Sequence, residues 1–244
     1  MNYKAVLQYD GTRYRGWQTQ GNTDNTIQGK LETLLTKMAG EPVEVNGSGR
    51  TDAGVHAAGQ VISFRCKTKE SPEEICRYMN EYLPEDIAVL TVEEVAPRFH
   101  ARLNAVRKTY VYRIWNAPVR NVFRRRFTTW IQKPLDLDTM EQAATLLCGT
   151  HDYRAFCSLK KFKKSTVRTI EKIEIGKMGQ EIRISYTGDG FLYHMVRILT
   201  GTLVEVGLGL RKPEEMTEIL EGQDRTKAGR LMPPEGLTLE SVEY

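Results

Sequence analysis

At 244 residues the chain is long enough to bury a substantial core in one large domain or two of ordinary size. Its content of 40% apolar and 27% charged residues excludes a largely disordered protein, and no apolar run approaches the roughly 18 residues of a membrane span. The net charge is only +4, but basic residues concentrate around phenylalanines at residues 123–127 and 160–164. Such clusters suit contacts with a polyanion, and an ordinary solvated surface is the alternative.

The N-terminal sequence and the cysteines indicate a compartment and exclude several kinds of site. The first residues lack the basic region and apolar core of a signal peptide, so a cytoplasmic location is expected. The four cysteines form no CxxC pair, and neither they nor the four histidines have metal-ligand spacing, so reduced thiols and no metal site are expected. The sequence contains no GxSxG, P-loop or GxGxxG motif, which disfavours serine hydrolases, P-loop enzymes and dinucleotide oxidoreductases.

The chain begins with a strand pattern followed by a helix pattern. Residues 3–9 have apolar side chains at every second position, which predicts a strand. An apolar stripe over residues 27–38 predicts a helix that begins at the capping pair Asn25 and Gln28 and ends at Gly40.

The rest of the first hundred residues completes a recognisable order of elements. Two short strands are predicted at residues 43–45 and 61–66, and a glycine-rich stretch joins them. A capping box at residues 71–74 begins a helix that stops before Pro84, and a strand follows at residues 87–95. The order strand, helix, two strands, helix, strand is the ferredoxin-like pattern.

The second half repeats the alternation of strands and helices. Its predicted elements, in chain order, are a strand at 106–115, a helix at 138–149, a hairpin of strands at 166–176 and 181–188, a helix at 191–207, a helix after Pro213 and a strand at 237–244. Asp138 with Glu141 is the predicted capping pair of the first of these helices. We place the domain boundary near residues 103–106.

The stretch GSGRTDAGVHA, residues 47–57, places an aspartate in a glycine-rich loop between two strands. Aspartate is disfavoured in strands, and functional residues concentrate on loops that a rigid scaffold positions. A loop aspartate more often belongs to a turn, and Arg50 and His56 have ordinary interpretations as a surface cation and a hydrogen-bonded loop residue. The loop alone therefore leaves turn formation and catalysis by Asp52 both open.

Several stretches in chain order resemble one family. YDGTRYRGWQTQ, GSGRTDAGVHAAGQV, FHARLNAVRKTYVYRI, FLYHMVRILTGTLVEVG and PPEGLTLESVEY are similar to the TruA family of tRNA pseudouridine synthases and extend over essentially the whole chain. The resemblance implies an α+β fold in which two ferredoxin-like (RRM-like) halves form the pseudouridine synthase fold with a central, mainly antiparallel sheet. With the boundary placed above, we expect one domain at residues 1–104, which carries the aspartate loop, and a second at residues 105–244.

The resemblance also implies an activity. Members of this family are isomerases that convert uridine to pseudouridine in the anticodon stem-loop of tRNA, at nucleotides 38–40. Uracil is detached from ribose C1′ at N1, turned, and rejoined through C5, and the resemblance implies neither a metal nor another cofactor. The resemblance further implies a homodimer whose basic clefts span both subunits, which suits a tRNA that is large relative to one chain.

By resemblance, the catalytic residues are Asp52, Tyr110 and Arg197, and the substrate-binding residues are Arg50, Tyr110 and His56. Asp52 acts on C1′, through a glycal intermediate, or by addition to uracil, and the sequence leaves these routes open. The target uridine must leave its stack, so Tyr110 is expected to lie against the flipped base. Arg197 is expected to favour the charged form of the carboxylate. Without the resemblance, a core aromatic and a surface arginine are the ordinary interpretations of Tyr110 and Arg197.

Two other classes of function are alternatives. Ferredoxin-like halves with aromatic residues and lysines also occur in RNA-binding proteins that have no catalytic activity, but such a protein has no need of an aspartate where phosphates approach. A carboxylate-based glycoside or nucleoside hydrolase normally needs a second acidic residue. The nearest acids in the sequence, Glu41 and Glu44, precede the loop, which disfavours this class.

Overall fold

The computed structural model describes residues 1–21 and 23–244, which form two compact units. The first unit comprises Met1–Val106 and Thr238–Tyr244, and the second comprises Arg107–Leu237. The strands are β1 (Asn2–Tyr9), β2 (Val45–Gly47), β3 (His56–Arg65), β4 (Ile87–Glu94), β5 (Arg107–Asn116), β6 (Thr129–Ile131), β7 (Gly149–Asp152), β8 (Val167–Met178), β9 (Glu181–Gly188) and β10 (Leu237–Glu243). The α-helices are α1 (Ile27–Ala39), α2 (Pro72–Tyr82), α3 (Leu137–Leu146), α4 (Met195–Gly207) and α5 (Glu215–Gly222).

The first unit is built on a mainly antiparallel sheet of order β4-β1-β3-β10, with β2 paired to β3. The pairs of β1 with β3, β1 with β4 and β2 with β3 are antiparallel, and β10 runs parallel to β3. The last strand of the chain thus joins strands that all precede Val106. The core of the unit consists of fully buried side chains from β1, β3 and both helices, namely Ala5, Leu7, Leu31, Leu35, Ile62, Ile75 and Met79.

The second unit has a sheet of order β5-β9-β8-β7, in which every neighbouring pair is antiparallel, and β6 pairs parallel to β5. Every residue of α4 except Glu205 is buried, as expected for a helix that is apolar on nearly all sides. The predicted α+β class with a mainly antiparallel sheet is confirmed. Within the described ranges 1–21 and 23–244, no helix is long and apolar enough to cross a membrane.

The predicted capping box of α2 is confirmed. The Glu74 N–H donates to Ser71 Oγ at 3.2 Å, and the Ser71 N–H donates to Glu74 Oε2 at 2.7 Å. Pro72 occupies the first helical position, where the missing N–H has no intrahelical partner to lose. Because the Ser71 N–H stabilises the carboxylate, the pKa of Glu74 lies below its usual value.

The predicted cap of α1 is wrong. The helix is capped by Thr26, whose hydroxyl accepts the Gly29 N–H at 3.2 Å. The Gln28 side chain does not turn back to cap the helix, because its amide donates to Glu32 Oε1 and to the Val45 carbonyl oxygen. A partner on β2, far away in the sequence, therefore decides the orientation of a side chain that local spacing assigned to the cap.

The predicted start of α3 is also wrong. Asp136 caps this helix by accepting the Thr139 N–H at 3.2 Å, so the helix begins at Leu137 and Asp138 lies in its first turn. Both aspartates satisfy the usual preference for acids near a helix N-terminus. The cap is therefore Asp136 rather than the predicted Asp138.

Other element bounds differ from the sequence prediction. The helix predicted from residue 191 begins at Met195, because the preceding His194 has a left-handed φ of 66° and cannot continue a helix. The strand predicted at residues 43–45 lies at Val45–Gly47. The strands β6 and β7 were not predicted, since segments of three and four residues are too short to show periodicity.

Candidate active site

Asp52 begins a tight turn between β2 and β3. The Val55 N–H donates to the Asp52 carbonyl oxygen at 3.1 Å, and Gly54 has a φ of 80°. A positive φ at the third position is what a type II turn requires, and glycine adopts it without steric cost. Asp52 itself is half-buried. The residue therefore belongs to a turn, and the turn holds it at a fixed and partly accessible position.

The residue before Asp52 is anchored by two other segments of the first unit. Thr51 is buried, and its carbonyl oxygen accepts the Trp17 N–H at 3.0 Å. Its hydroxyl shares a hydrogen bond of 2.9 Å with the Tyr9 hydroxyl at the end of β1. The backbone that leads into Asp52 is thus held by Tyr9 on β1 and by Trp17 in the segment that follows β1.

Close backbone approach explains two glycines beside this turn. Gly16 has a φ of 95°, and a Cβ there would lie 2.9 Å from the Thr51 carbonyl oxygen and 3.1 Å from the Ala53 nitrogen. A Cβ at Gly47 would lie 2.5 Å from the Trp17 ring. Real Cβ atoms do not come so close to other atoms, so a larger residue at either position must displace its neighbour.

A buried hydrogen-bond network supports the start of the loop. Gln60 donates from Nε2 to the Gly49 carbonyl oxygen at 2.9 Å and to the Tyr9 hydroxyl at 3.3 Å, and its Oε1 accepts the Ser48 hydroxyl at 2.7 Å. Burial raises the pKa of Tyr9 to about 12, so its hydroxyl stays neutral near pH 7. Tyr9, Ser48 and Gln60 were not among the predicted site residues. Each lies within one of the stretches that resemble the family, which is the feature of the sequence that could have indicated them.

His56 and Arg50 occupy contrasting environments at the two sides of Asp52. The His56 ring is buried, and its Nδ1 accepts the Gly11 N–H at 3.0 Å. The same Nδ1 lies 3.2 Å from Asp10 Oδ1, so a backbone N–H and a carboxylate both meet this ring nitrogen. Arg50 is exposed. The predicted role of both residues in substrate binding stays a prediction.

In the second unit, Tyr110 and Tyr112 share one face of β5 but differ in their contacts. Tyr110 is 8% exposed and meets the Phe191 ring edge to face, with ring centroids 5.3 Å apart. Tyr112 is fully buried, and its hydroxyl bonds Thr129 Oγ1 at 2.6 Å and the Pro233 carbonyl oxygen at 2.7 Å. The hydroxyl of Tyr112 is therefore a structural group, because two internal partners already hold it.

Arg197 lies in the first turn of α4 and is 8% exposed, so the alternative of an ordinary surface arginine does not describe it. Its Nε donates to the Met232 carbonyl oxygen at 2.7 Å, and its own carbonyl accepts the Met232 N–H at 3.3 Å. A buried guanidinium is costly unless its N–H groups are hydrogen-bonded. An arginine retained in such a helix is therefore a candidate for a specific role.

Residues 229–232, which include the Met232 carbonyl that accepts from Arg197, pack closely against α4. A Cβ at Gly201 would overlap the Arg230 carbonyl oxygen, and a Cβ at Gly229 would lie 2.6 Å from the Thr202 nitrogen. The Thr202 hydroxyl accepts the Gly229 N–H at 2.9 Å. Glycine on each side thus lets the two backbones touch, which fixes the carbonyl that orients the Arg197 side chain.

The two basic clusters differ in how much of their charge is already paired. Arg124 forms an ion pair with Glu181, which is buried and also accepts from Arg183 Nε at 2.6 Å. In the other cluster, Arg154 lies over the Phe162 ring at 5.3 Å, and the lysines are all exposed, namely Lys160, Lys161, Lys163 and Lys164. The lysine cluster therefore keeps more of its charge available to an external polyanion. Within the part of the chain that the structure describes, no group of three or more His, Cys, Asp or Glu side chains is arranged to hold a metal ion.

Comparison with known proteins identifies relatives along the entire chain. The family model for tRNA pseudouridine synthase matches residues 5–104 and 143–244. A tRNA pseudouridine synthase A from Bacillus sp. (strain KSM-64) is 49% identical over 243 residues, which cover 100% of this chain and 99% of the relative. The tRNA pseudouridine synthase A of Brevibacillus brevis is 47% identical and covers 99% of this chain and 98% of the relative. The tRNA pseudouridine synthase A 2 of Clostridium tetani is 43% identical, and the match covers 100% of this chain and 98% of the relative.

Among solved structures, a chain in the crystal structure of a Cbf5-Nop10-Gar1 complex matches with a TM-score of 0.36 and 12% identity, over 83% of this chain and 45% of that chain. The match to the family model and the identity to relatives of the same length decide the family. The chain belongs to the TruA family of tRNA pseudouridine synthases, isomerases that convert uridine to pseudouridine in tRNA.

Proposed function

We propose that the protein isomerises uridines on the 3′ side of the tRNA anticodon stem-loop and that Asp52 carries out the chemistry. The observation that carries this proposal is the construction of the Asp52 turn, in which buried partners hold the backbone on both sides of a half-buried carboxylate. A purely structural turn on a loop needs no such support. A group that must meet one atom of a substrate does, because small displacements cost large factors in rate.

The reaction breaks the bond from ribose C1′ to uracil N1 and forms a bond from C1′ to C5. The proton that leaves C5 after the new bond forms is balanced by a proton gained at N1. As a nucleophile, the Asp52 carboxylate divides the exchange into two steps by bonding C1′ or uracil in between. As a base, it removes a ribose proton on the way to a glycal. Each route requires the ionised carboxylate in a pocket that the flipped uridine can enter.

We assign the other residues separate tasks toward the same uridine. The Tyr110 side chain, which shares a face of β5 with Tyr112, offers a flat ring for the uracil and a hydroxyl for proton transfer. The Arg197 guanidinium supplies the positive charge that favours an ionised carboxylate. Arg50, which is exposed, contacts the RNA backbone and helps hold the flipped nucleotide. His56 supports the loop at residues 47–57, because its Nδ1 accepts the Gly11 N–H and so ties the end of the loop to the segment after β1.

We further propose that two copies of the chain bind one tRNA in basic clefts. The exposed lysines at residues 160–164 are suited to the sugar-phosphate backbone, because phosphate contacts need charge rather than exact placement. The oligomeric state is tested directly by sedimentation of the protein alone and with tRNA. A dimer in both samples is expected, and a monomer that remains active with tRNA contradicts the proposal.

The decisive experiment is incubation of the protein with an unmodified tRNA transcript, followed by mapping of pseudouridine at nucleotide resolution. Product is expected on the 3′ side of the anticodon stem-loop and nowhere else. Asp52→Asn, which keeps the shape of the side chain, serves as the matched control and should give no product. Product only in another arm of the tRNA would overturn the assigned target, and product from the Asp52→Asn variant would overturn the assigned residue.

A further inference from the structure

A concave site lies in the first unit, at the far end of β3 from the Asp52 turn. It is a cavity of about 380 Å³, within the size range of small-ligand sites, and we call it the β3-end pocket. Its lining includes Glu44, Asn46, Arg65, Arg98, Phe99 and His100. The strand begins at His56 beside the Asp52 turn and reaches the pocket at Ser63, a separation of about 20 Å at roughly 3.3 Å per residue. The pocket is therefore distinct from the place where the uridine reacts.

The loop that forms one wall of this pocket is held rigidly. Asn2 donates from its side-chain nitrogen to the carbonyl oxygens of Ala96 at 2.9 Å and Phe99 at 3.0 Å. The Ala101 N–H donates to Ser63 Oγ at 3.0 Å. These bonds anchor both ends of the FHAR stretch, whose chemistry the proposed reaction does not use. A wall that is already ordered loses little conformational entropy when a ligand binds.

The donors of the pocket point to a ligand that carries a phosphate. Arg65 uses one terminal nitrogen to donate to the Pro97 carbonyl oxygen at 2.9 Å, which orients its planar group. Arg98 is exposed at the rim. His100 accepts the Arg102 N–H at Nδ1, so the neutral ring has its proton on Nε2 and can donate there. Two guanidinium groups and a ring N–H form the kind of donor set that binds phosphate oxygens.

The other side of the pocket selects more than a bare phosphate. Glu44 carries an acceptor-only carboxylate when it is ionised, and Asn46 offers both an acceptor and two donors. Ribose hydroxyls and base N–H groups can donate to the Glu44 carboxylate, whereas a phosphodiester has no donor to offer it. The Phe99 ring, held against Tyr244 with centroids 5.0 Å apart, adds apolar surface for a sugar or base.

We propose that the β3-end pocket binds one ribonucleotide of the tRNA substrate, at a position other than the reacting uridine. The inference rests on the proposed function, because a tRNA whose uridine reaches Asp52 extends far enough to place another nucleotide about 20 Å away along β3. The ligand chemistry is a ribonucleoside phosphate, and the tRNA rather than a free mononucleotide is its source. The pocket raises the affinity for tRNA and fixes the position of the tRNA on the protein, and it takes no part in bond making.

The test compares Arg98→Gln with Arg77→Gln, an exposed arginine of α2 outside the pocket that gives the same change of charge. Arg98→Gln should weaken binding of full-length tRNA about tenfold and lower the salt slope by about one, while Arg77→Gln changes neither. The single-turnover rate at saturating tRNA should stay at the wild-type value. Hydroxyl-radical footprinting should show one patch of backbone that loses protection, away from the reacting uridine, which stays protected.

Several outcomes would overturn the pocket. Unchanged tRNA affinity and footprint in Arg98→Gln, or loss of protection at the reacting uridine itself, contradicts a separate nucleotide site. Saturable binding of uridine 5′-monophosphate that Arg98→Gln abolishes, with tRNA binding unchanged, assigns the pocket to a free nucleotide instead. Binding and footprint are read without catalysis, so they judge the pocket even if wild-type product maps outside the anticodon stem-loop and the proposed function fails.

Discussion

Two polar segments of the molecule, the Asp52 loop at residues 47–57 and the lysine cluster at residues 160–164, are held in very different ways. The first is tied down by buried hydroxyl and amide side chains and by backbone hydrogen bonds. The second exposes its lysines, and the Arg154 guanidinium lies over its Phe162 ring. The contrast is consistent with the proposed division of tasks, in which bond making needs exact placement and phosphate binding needs charge nearby. Changes in the first segment should therefore alter the rate, and changes in the second the affinity.

The largest effect is expected for Asp52→Asn. The variant removes the reacting carboxylate at nearly constant shape, so the single-turnover rate should fall by at least about a thousandfold. The affinity for tRNA should remain within about threefold of the wild-type value, because one neutral side chain replaces an anion and removes no cation. Asp24→Asn, an exposed aspartate of the same unit, serves as the control and should keep full activity. Rapid-quench measurement of pseudouridine checks both variants, and appreciable turnover by purified Asp52→Asn protein contradicts the assignment.

A smaller effect is expected when one hydroxyl is removed from β5. Tyr110→Phe keeps the ring and should lower the rate about a hundredfold, because it removes the hydroxyl that is assigned to proton transfer. Tyr112→Phe should instead lower the free energy of unfolding by about 1–3 kcal/mol, because Thr129 and the Pro233 carbonyl lose a buried partner. Chemical denaturation and single-turnover assays separate the two. An unchanged rate for Tyr110→Phe would limit Tyr110 to stacking against the base.

Displacing the Asp52 turn without changing the Asp52 side chain should lower the rate less than Tyr110→Phe does. Gly16→Ala puts a Cβ 2.9 Å from the Thr51 carbonyl oxygen, so the turn must shift, and we expect a rate about tenfold lower. Gly40→Ala is the matched control, since Gly40 also has a positive φ of 69° but has no atom within 4 Å of the added Cβ. Both variants should lose about 1 kcal/mol of stability through the backbone alone. Equal rates in the two variants would show that the turn tolerates displacement.

Local signals in the sequence predicted the elements whose causes are local. The capping box of Ser71 and Glu74 needs only neighbouring residues, and the structure has it as the spacing indicates. The predicted cap of α1 was wrong because the Gln28 side chain donates to a carbonyl of β2. The parallel pairing of β10 with β3 likewise joins segments that are far apart in the sequence. No periodicity within a window of residues carries such long-range information.

The candidate site divides in the same way. A motif that resembles the family is enough to single out Asp52, Tyr110 and Arg197, and their roles stay predictions until the variants are measured. The support for Asp52 from Tyr9 and Gln60 depends on the register of β1 against β3, which brings side chains from separate segments together. Register follows from tertiary packing rather than from the residues of one strand. The sequence could therefore single out Asp52 as the proposed reacting group but not the network that positions it.

The smallest effect on the rate, and the clearest effect on affinity, is expected for the lysine cluster. Replacing Lys160, Lys161, Lys163 and Lys164 by glutamine should weaken tRNA binding and lower the salt slope by about one for each lysine that contacts a phosphate. Once tRNA is saturating, the rate should not change, because these lysines are assigned to positioning and Asp52 to chemistry. The control replaces four exposed lysines elsewhere, namely Lys67, Lys69, Lys133 and Lys177, with the same loss of charge. If both quadruple variants lose affinity equally, only net charge matters. If neither does, the arginines at residues 124–126 become the next candidate for the contact, even though Glu181 already pairs with one of them.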